Sequence, residues 1–517
     1  MFQKKRLWSV YALLLLVALG FRLFIALRLP NDEPDDGRVY AQTAINVLEQ
    51  HVFSHENQPP YVPSIIRLPG YPLFLAGVYK LFGHGNNTAV RVVQAGIDTL
   101  TCVLVALVAF EWAVDEERKH RAALIAFGLA AVCPFTAIYV ATVLTEVPTN
   151  FLAVAMVLTA TFGFKASDDT DNTDRRKIVL WWVVTGVIAG LAVLFRPDSG
   201  LFAAAIGGTL VVWALFRRRV KSFFVSSALF SVAFCLVLVP WTIRNYRVFH
   251  LFQPLAPTHG EMPGEFVPRG YLLWLRTWLD DSRYIGPVLW AEDTRPIPIT
   301  AFPASAFDSN EERERVAALL EKYNSSSSVS SVAEEDTDDE DEEEDEVEEA
   351  EAEPEEPDVE MTPEIDAGFA QLGQERRARS PFRYYVVLPL KRAKTLWCDT
   401  HSQYYPFNGE LLPLKDLDYN IHQQYWLPLF AVLTALYSLL GVVGAGLLWL
   451  SRSRDARMWV LLAALVIFVR LGFFATLENP EPRYTVELFP FLIILAGAGC
   501  SLFRTSSLTR SPRWWRG

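Results

Sequence analysis

The feature that most constrains this chain is the gathering of its apolar residues into runs of about 20, the helix length that spans ~30 Å of hydrocarbon. Ten candidate spans fall near 7–27, 88–114, 120–140, 144–164, 178–195, 199–216, 222–241, 426–450, 458–477 and 485–503. A soluble chain of 517 residues, 51% of them hydrophobic, would be two to four domains. The runs point instead to an all-α polytopic membrane protein. The first run follows "MFQKKR". It is long for a signal-peptide core and no small-residue cleavage pattern follows, so it reads as an anchoring span. Residues 71–83, "YPLFLAGVYKLFG", are apolar but too short to cross. They suit a helix packed at the interface or dipping into it.

Lys and Arg in short loops set the orientation. With the N-terminus inside, the inside connections are "DEERKHR", "DDTDNTDRRK", "FRRRVK", "SRSRDAR" and the tail "RTSSLTRSPRWWRG", and each carries basic residues. The chain then divides into an N-terminal membrane module (1–241) whose first outer loop is 28–87, an outer region (242–425), and a C-terminal membrane module with a basic inside tail (426–517). A bacterial inner or plasma membrane is expected, with both termini cytoplasmic.

The net charge of −12 misleads. Residues 334–360 hold 20 acids and no Lys or Arg; the other 39 acids against 47 basic residues leave a net +8. Such a run cannot bury a core, so disorder is expected over about 324–362. Of five cysteines, Cys102, Cys133, Cys235 and Cys500 lie in apolar runs and Cys398 stands alone. No disulfide framework, metal cluster, P-loop or dinucleotide fingerprint is read. Neither a metal, another cofactor nor a nucleic-acid partner is indicated; the lipid bilayer is.

The orientation brings Asp36, Glu146, Arg196, Arg244 and Arg483 to the outer ends of spans. A transporter more often keeps its charges near the midplane, whereas a catalytic cleft at the outer interface collects them at one face. In "NDEPDDGRVYAQTAINVLEQ" (31–50), Ala41, Ala44, Ile45 and Leu48 mark one face of a helix from about Gly37 to Glu49, with Asp36 as a candidate N-cap. Asp32, Glu33 and Asp35 read as solvated turn residues. In "PSIIRLPGYPLFL", Pro69-Gly70 and Pro72 predict a helix-breaking turn beside Arg67. Asp98 and Arg470 sit inside apolar runs, where a charge suggests function or a buried pair; they are expected to pair with each other or to line the cleft floor. The outer stretch "GYLLWLRTWLDDSRYIGPVLWAED" suits an amphipathic interfacial helix. The basic, aromatic "PFRYYVVLPLKRAKTLWCDTHSQYYPF" suits interfacial anchoring, or lipid phosphates and sugar rings.

The order of "DDGRVYAQTA", "RLPGYPLFLAGVYKLFG", a span opening "TE", "GLAVLFRPDSG", "PWTIRNYRVF" and "NPEPRY" resembles the GT-C superfamily of integral-membrane glycosyltransferases. It is most similar to glycosyltransferase family 39 and its bacterial relatives, the dolichyl-phosphate-mannose protein mannosyltransferases and the lipid A aminoarabinose transferase. The resemblance covers roughly 1–250 and 380–503. It implies a polyprenyl-phosphate sugar donor at the outer face and a catalytic Asp in the first outer loop, four residues before a Tyr. That carry-over points to Asp36 and Tyr40. Gly37 stands where the family often has a second acid.

Residue types agree with that chemistry. A carboxylate can take the proton of an acceptor hydroxyl, and arginines can hold a leaving phosphate. The expected roles are Asp36 and Glu146 as catalytic carboxylates and Arg67, Arg244 and Arg483 on the donor phosphate, with Tyr40, Arg196, Tyr484, Asp98 and Arg470 in support. One base and several arginines imply inverting displacement. The acceptor is a lipid, glycan or protein hydroxyl. Two alternatives stay open: an envelope polysaccharide polymerase or ligase using a diphosphate-linked donor, and a lipid-linked-sugar transporter or flippase.

Overall fold

The computed structural model describes residues 2–29, 35–168, 175–292, 294–325, 359–400, 409–412, 414–415 and 421–503. Most of the acidic run, together with Asp32 and Glu33, lies outside them. Nine helices among the described residues are long and apolar enough to cross a membrane. The expected span 120–140 is a bent pair, Glu116–Ala131 and Pro134–Ala141, with 50° between the two parts. Pro134 explains the break. Proline has no N–H to give the preceding turn, but it is well suited to opening a new helix, where it stands here. The only sheet among the described residues is a pairing of β1 (Glu410–Leu411) with antiparallel β2 (Leu414–Lys415).

The chain parts into two compact units. The first comprises Met1–Gly260, Val432–Arg470 and Val486–Gly517; the second comprises Glu261–Ala431 and Leu471–Thr485.

In the first unit, α1 (Phe2–Arg28), α4 (Asn87–Trp112), α5 (Lys119–Ala131), α7 (Glu146–Asp168), α8 (Arg175–Phe195), α9 (Gly200–Arg217) and α10 (Val220–Phe249) supply the long apolar helices of the N-terminal part. Between α1 and α4 lie two shorter helices, α2 (Asp35–Glu49) and α3 (Gly70–Phe82). The expected face of α2 is the face it buries: Ala41 and Ala44 are enclosed, with Ile45 and Leu48 beside them, against Tyr71 and Leu75 of α3. Helix α2 begins two residues earlier than its periodicity predicts. Asp36 therefore sits inside the first turn rather than capping it, where its negative charge still faces the favourable end of the helix dipole. The prolines of "RLPGYP" open α3 rather than break it: Pro69 precedes its first residue and Pro72 occupies its first turn. Gly70 is required by packing. A Cβ there would come 2.6 Å from the Leu194 carbonyl oxygen, so the start of α3 lies directly on the end of α8. A second close approach joins α15 (Ile421–Leu450) to α17 (Phe489–Cys500), where a Cβ on Gly499 would meet Gly444 O at 2.1 Å; small residues let helices in lipid approach closely.

The second unit has its own core. Helix α11 (Arg269–Leu275), α12 (Asn310–Ser325) and α13 (Pro363–Arg379) bring together Tyr271, Trp274, Leu320, Tyr323, Phe369 and Leu372. This corrects the reading of 270–293 as an interfacial amphipathic helix. Its apolar residues surround the short helix instead of lining one face, so the segment is buried. Helix α13 starts where its sequence says it should, at Thr362-Pro363, with the Thr362 hydroxyl accepting from Ile365 N. A π-turn at Arg383–Val387 leads into α14 (Leu388–Cys398). The remaining long helix, α16 (Arg454–Ala475), has its last residues in this unit.

Candidate active site

Helix α2 presents Asp36 to the loop before α3, and Arg67 meets it: Arg67 Nη2 donates to Asp36 Oδ1 at 2.8 Å. The two side chains remain 28% and 30% exposed, so the pair is open to water and to a ligand. Arg67 also donates to the Ile66 carbonyl, while its buried Nε–H has no acceptor among the described residues. One turn along α2, the Tyr40 ring lies 6.0 Å from the Arg67 guanidinium and edge-on to Tyr71 at 5.2 Å. Burial, then the Asp36 charge, pushes the Tyr40 phenol up to about 12. Arg67, Glu146 and Arg196 also act on that hydroxyl, Glu146 raising its pKa and the arginines lowering it. Tyr40 therefore stands within electrostatic range of both the Asp36–Arg67 pair and a second, deeper group of charges.

That deeper group is largely enclosed. Arg196 Nη1 donates to Glu146 Oε1 at 2.7 Å and to Glu487 Oε1 at 3.4 Å, and its Nε donates to Asp198 at 3.0 Å. Arg470 bridges Asp198 (2.7 Å) and Glu487 and lies over the Phe202 ring at 5.1 Å. Three carboxylates thus enclose two guanidinium groups. Glu146, Arg470 and Glu487 are buried, and Glu146 Oε2 has no partner among the described residues. A buried amide ties this region to α3. Gln94 accepts from Tyr71 OH at 2.8 Å and donates to Thr142 O at 2.7 Å, four residues before Glu146.

Asp98 and Arg470 do not pair with each other. Asp98 accepts from Arg22 Nε at 2.6 Å, and Arg22 also donates to Ala130 O and Ala131 O, carbonyls at the break after α5, where the regular run of helical bonds ends. Each buried charge found the opposite charge nearest in space, which came from a distant part of the chain.

Arg244 is held by neutral groups. Its Nη1 donates to Ser64 O (2.8 Å) and Asn245 Oδ1 (3.0 Å), and its Nη2 to Phe53 O (3.4 Å). The rings of Trp241, Phe249 and Phe53 surround it at 4.9, 5.2 and 5.5 Å. It clamps the loop between α2 and α3 to the end of α10. Arg483 and Tyr484 belong to the second unit. There Arg483 Nε pairs with Glu481 at 2.9 Å, and Tyr484 stacks on Phe474 at 4.3 Å and accepts from Asn479.

Arg22, Gln94, Asp198 and Glu487 were not singled out from the sequence. Arg22 and Glu487 are charges inside apolar runs, the same signal that marked Asp98 and Arg470. Asp198 stood in the quoted "FRPDSG", hidden by its neighbour Arg196. Gln94, a neutral amide within a span, gave no signal.

Helical spans with this set of inter-helix charge pairs define an integral membrane protein. Residues 62–243 match the sequence model of the dolichyl-phosphate-mannose-protein mannosyltransferase family, which bears out the resemblance to GT-C glycosyltransferases. The match takes in Arg67, Glu146 and Arg196, and stops short of Asp36, Tyr40 and Arg244. No curated protein matches the chain. Among solved structures it is similar to the oligosaccharyltransferase of Archaeoglobus fulgidus tethered to an acceptor peptide (13% identity, 96% of this chain and 49% of that one, TM-score 0.48). The same archaeal enzyme with an inhibitory peptide and a dolichol-phosphate matches at 14% identity over 96% and 50%, TM-score 0.48. ArnT from Cupriavidus metallidurans matches at 14% over 94% and 77%, TM-score 0.38. The chain spans about half the length of the archaeal enzyme.

Proposed function

We propose that the chain is an inverting glycosyltransferase that moves a sugar from a polyprenyl-phosphate-linked donor to an acceptor hydroxyl at the outer membrane–water interface. The single observation that supports this most is the Asp36–Arg67 pair: a carboxylate and a guanidinium in contact, both accessible, at the edge of a membrane-spanning bundle.

Arg67 is the donor-phosphate ligand in this reading. Guanidinium matches phosphate oxygens in a bidentate way, and Arg67 has an Nε–H to spare. When it turns to the incoming phosphate, Asp36 is released to accept the proton of the acceptor hydroxyl. The hydroxyl oxygen attacks the anomeric carbon, the bond from that carbon to the phosphate oxygen breaks, and the phosphate leaves against Arg67. One displacement gives inversion. Tyr40 stays a neutral hydrogen-bond donor beside Asp36 through the working pH range, as its raised pKa requires. Glu146, gripped by Arg196 and buried, acts on the acceptor side through Tyr40, whose hydroxyl its charge reaches. Arg244 must exchange a carbonyl partner to reach the phosphate, so its larger part is to shape the loop that carries Arg67. Bacterial inner-membrane location, with both termini cytoplasmic, belongs to the same reading.

The test is to supply purified protein with a sugar on a polyprenyl monophosphate and, separately, on a diphosphate. The expected result is a new glycosidic bond from the monophosphate donor with the anomeric configuration reversed. Transfer from the diphosphate donor alone, or movement of the lipid across a vesicle without a new bond, contradicts it.

A further inference from the structure

The turn and helix over 381–398, "PFRYYVVLPLKRAKTLWC", carry four basic residues and no acid. Leu388, Arg392 and Leu396 face inward and are buried. Phe382, Tyr385 and Leu390 are each more than half exposed, and Val386 is partly so. These four stand at helical spacing. The π-turn at 383–387 inserts the extra residue that brings Leu390 back into line with Phe382. An apolar stripe is thus left uncovered opposite the buried one. Arg383, Lys391 and Lys394 flank it, each paired with an acid yet 42–60% exposed.

Two hydrogen-bonded tethers set the level of this helix. At its far end, Leu396 O accepts from Thr485 Oγ1 at 3.0 Å, and Thr485 lies in the 3-10 turn Pro482–Leu488 that opens the candidate span Pro482–Cys500. Along its buried face, Arg392 donates to the carbonyls of Arg276 and Leu279. Arg276 in turn holds Glu478, three residues past the end of the span Arg454–Ala475. The helix is therefore fastened at the place where one span ends and the next begins, which is where hydrocarbon gives way to headgroups.

We propose that residues 382–390 form a membrane-interface anchor: Phe382, Tyr385, Val386 and Leu390 insert at the headgroup–acyl boundary of the bilayer, and the flanking Arg383, Lys391 and Lys394 meet anionic lipid phosphates. Aromatic and aliphatic residues on one face with basic residues at its margins are what such a position selects. Among the described residues nothing covers its exposed apolar area, and the bilayer is an apolar phase within reach of residues bonded to span ends. The surface would hold the second unit against the membrane whatever the transferred sugar.

The test uses the full chain in vesicles, with Cys235, Cys398 and Cys500 replaced by Ser and single labelling cysteines introduced as Leu390→Cys, Val386→Cys and Glu375→Cys. A nitroxide at each reads collision with oxygen, which concentrates in lipid, against a water-soluble nickel chelate. At 386 and 390, oxygen collisions are expected to exceed nickel collisions several-fold, with the reverse at 375. Adding phosphatidylglycerol to phosphatidylcholine vesicles is expected to deepen 390. An aqueous signature at 390 like that at 375 overturns the anchor. So does low access to both reagents at 390, since a protein partner then covers the stripe. An identical depth in both lipid mixtures overturns the headgroup half of the proposal.

Discussion

The first unit holds two charge sites that differ in exposure: Asp36 and Arg67 keep 28% and 30% of their side chains open, whereas in the Glu146–Arg196–Asp198–Arg470–Glu487 network three members are buried and Arg196 and Asp198 keep only 11% and 12%. The open pair can exchange partners at little cost, because an exposed ion pair contributes at most about 1 kcal/mol. The enclosed network cannot, because removing one member leaves another charge buried and unpaired. The same residue types thus serve different ends. A site that must let go of a carboxylate during each turnover keeps it accessible, and a site that fixes the geometry around it is closed.

The largest effect is expected in the enclosed network. Arg470→Ala takes from the buried Glu487 its close partner and leaves it the longer Arg196 contact at 3.4 Å, and the cost of breaking such a buried pair is about 3–5 kcal/mol. A large fall in Tm in detergent and poor accumulation in membranes should follow. A variant of unchanged Tm would show that the network is not what holds these helices.

Arg67→Ala should do the opposite. Stability should change by at most about 1 kcal/mol, while kcat/KM for the donor drops on the order of 10- to 100-fold, the worth of a charge-assisted hydrogen bond of about 1.5–3 kcal/mol. A Tm loss as large as that of Arg470→Ala would erase the distinction between the sites.

Gly70→Ala probes the seam between them, since the start of α3 lies on the end of α8 just before Arg196. The added methyl group must push backbone aside, and overpacking of this kind costs about 1–3 kcal/mol. Activity should fall along with Tm.

The smallest effect is a control in the second unit. Arg315–Glu375 is more exposed than Asp36–Arg67, at 45% and 36% against 30% and 28%, and lies apart from the candidate site. Arg315→Ala should change Tm within the range of an exposed pair, about 1 kcal/mol or less, and leave transfer untouched. Arg315 holds the Glu375 carboxyl below its ordinary range. Since the folded value is depressed, the pair's small contribution is complete above the ordinary carboxylate pKa and fades as pH falls through the depressed one. Comparing Tm of the variant and the parent across that acid range checks the sign.

What could be read in advance follows from how local each signal is. Apolar runs reveal spans because span length is set by the bilayer, and nine helices among the described residues satisfy that rule. The Ala41, Ala44, Ile45, Leu48 face of α2 was legible because helical period is local. The bend at Pro134 was missed because hydropathy continues through it, although the proline itself was the signal. The stretch after Gly270 looked interfacial because aromatic residues suit both a membrane surface and a core; only the helices 310–325 and 363–379, brought from further along the chain, decide that it is a core. Partner choice was least legible. Arg22 and Asp98 are 76 positions apart and Arg196 and Glu487 are 291 apart, and no local pattern connects them. Asp36 and Arg67 share one outer loop, 31 positions apart, yet their pairing was not legible either, because four acids stood together there.

The central claim is that Asp36 acts on the substrate and does not hold the fold. Asp36→Asn keeps the shape and removes the charge, so Tm and the rate of sugar transfer should be measured on the same preparation. Tm is expected to stay close to that of the parent, within what about 1 kcal/mol can move, and transfer to slow on the order of 100- to 10,000-fold, as for loss of a general base. Near-parental transfer by Asp36→Asn, with its fold intact, would contradict it.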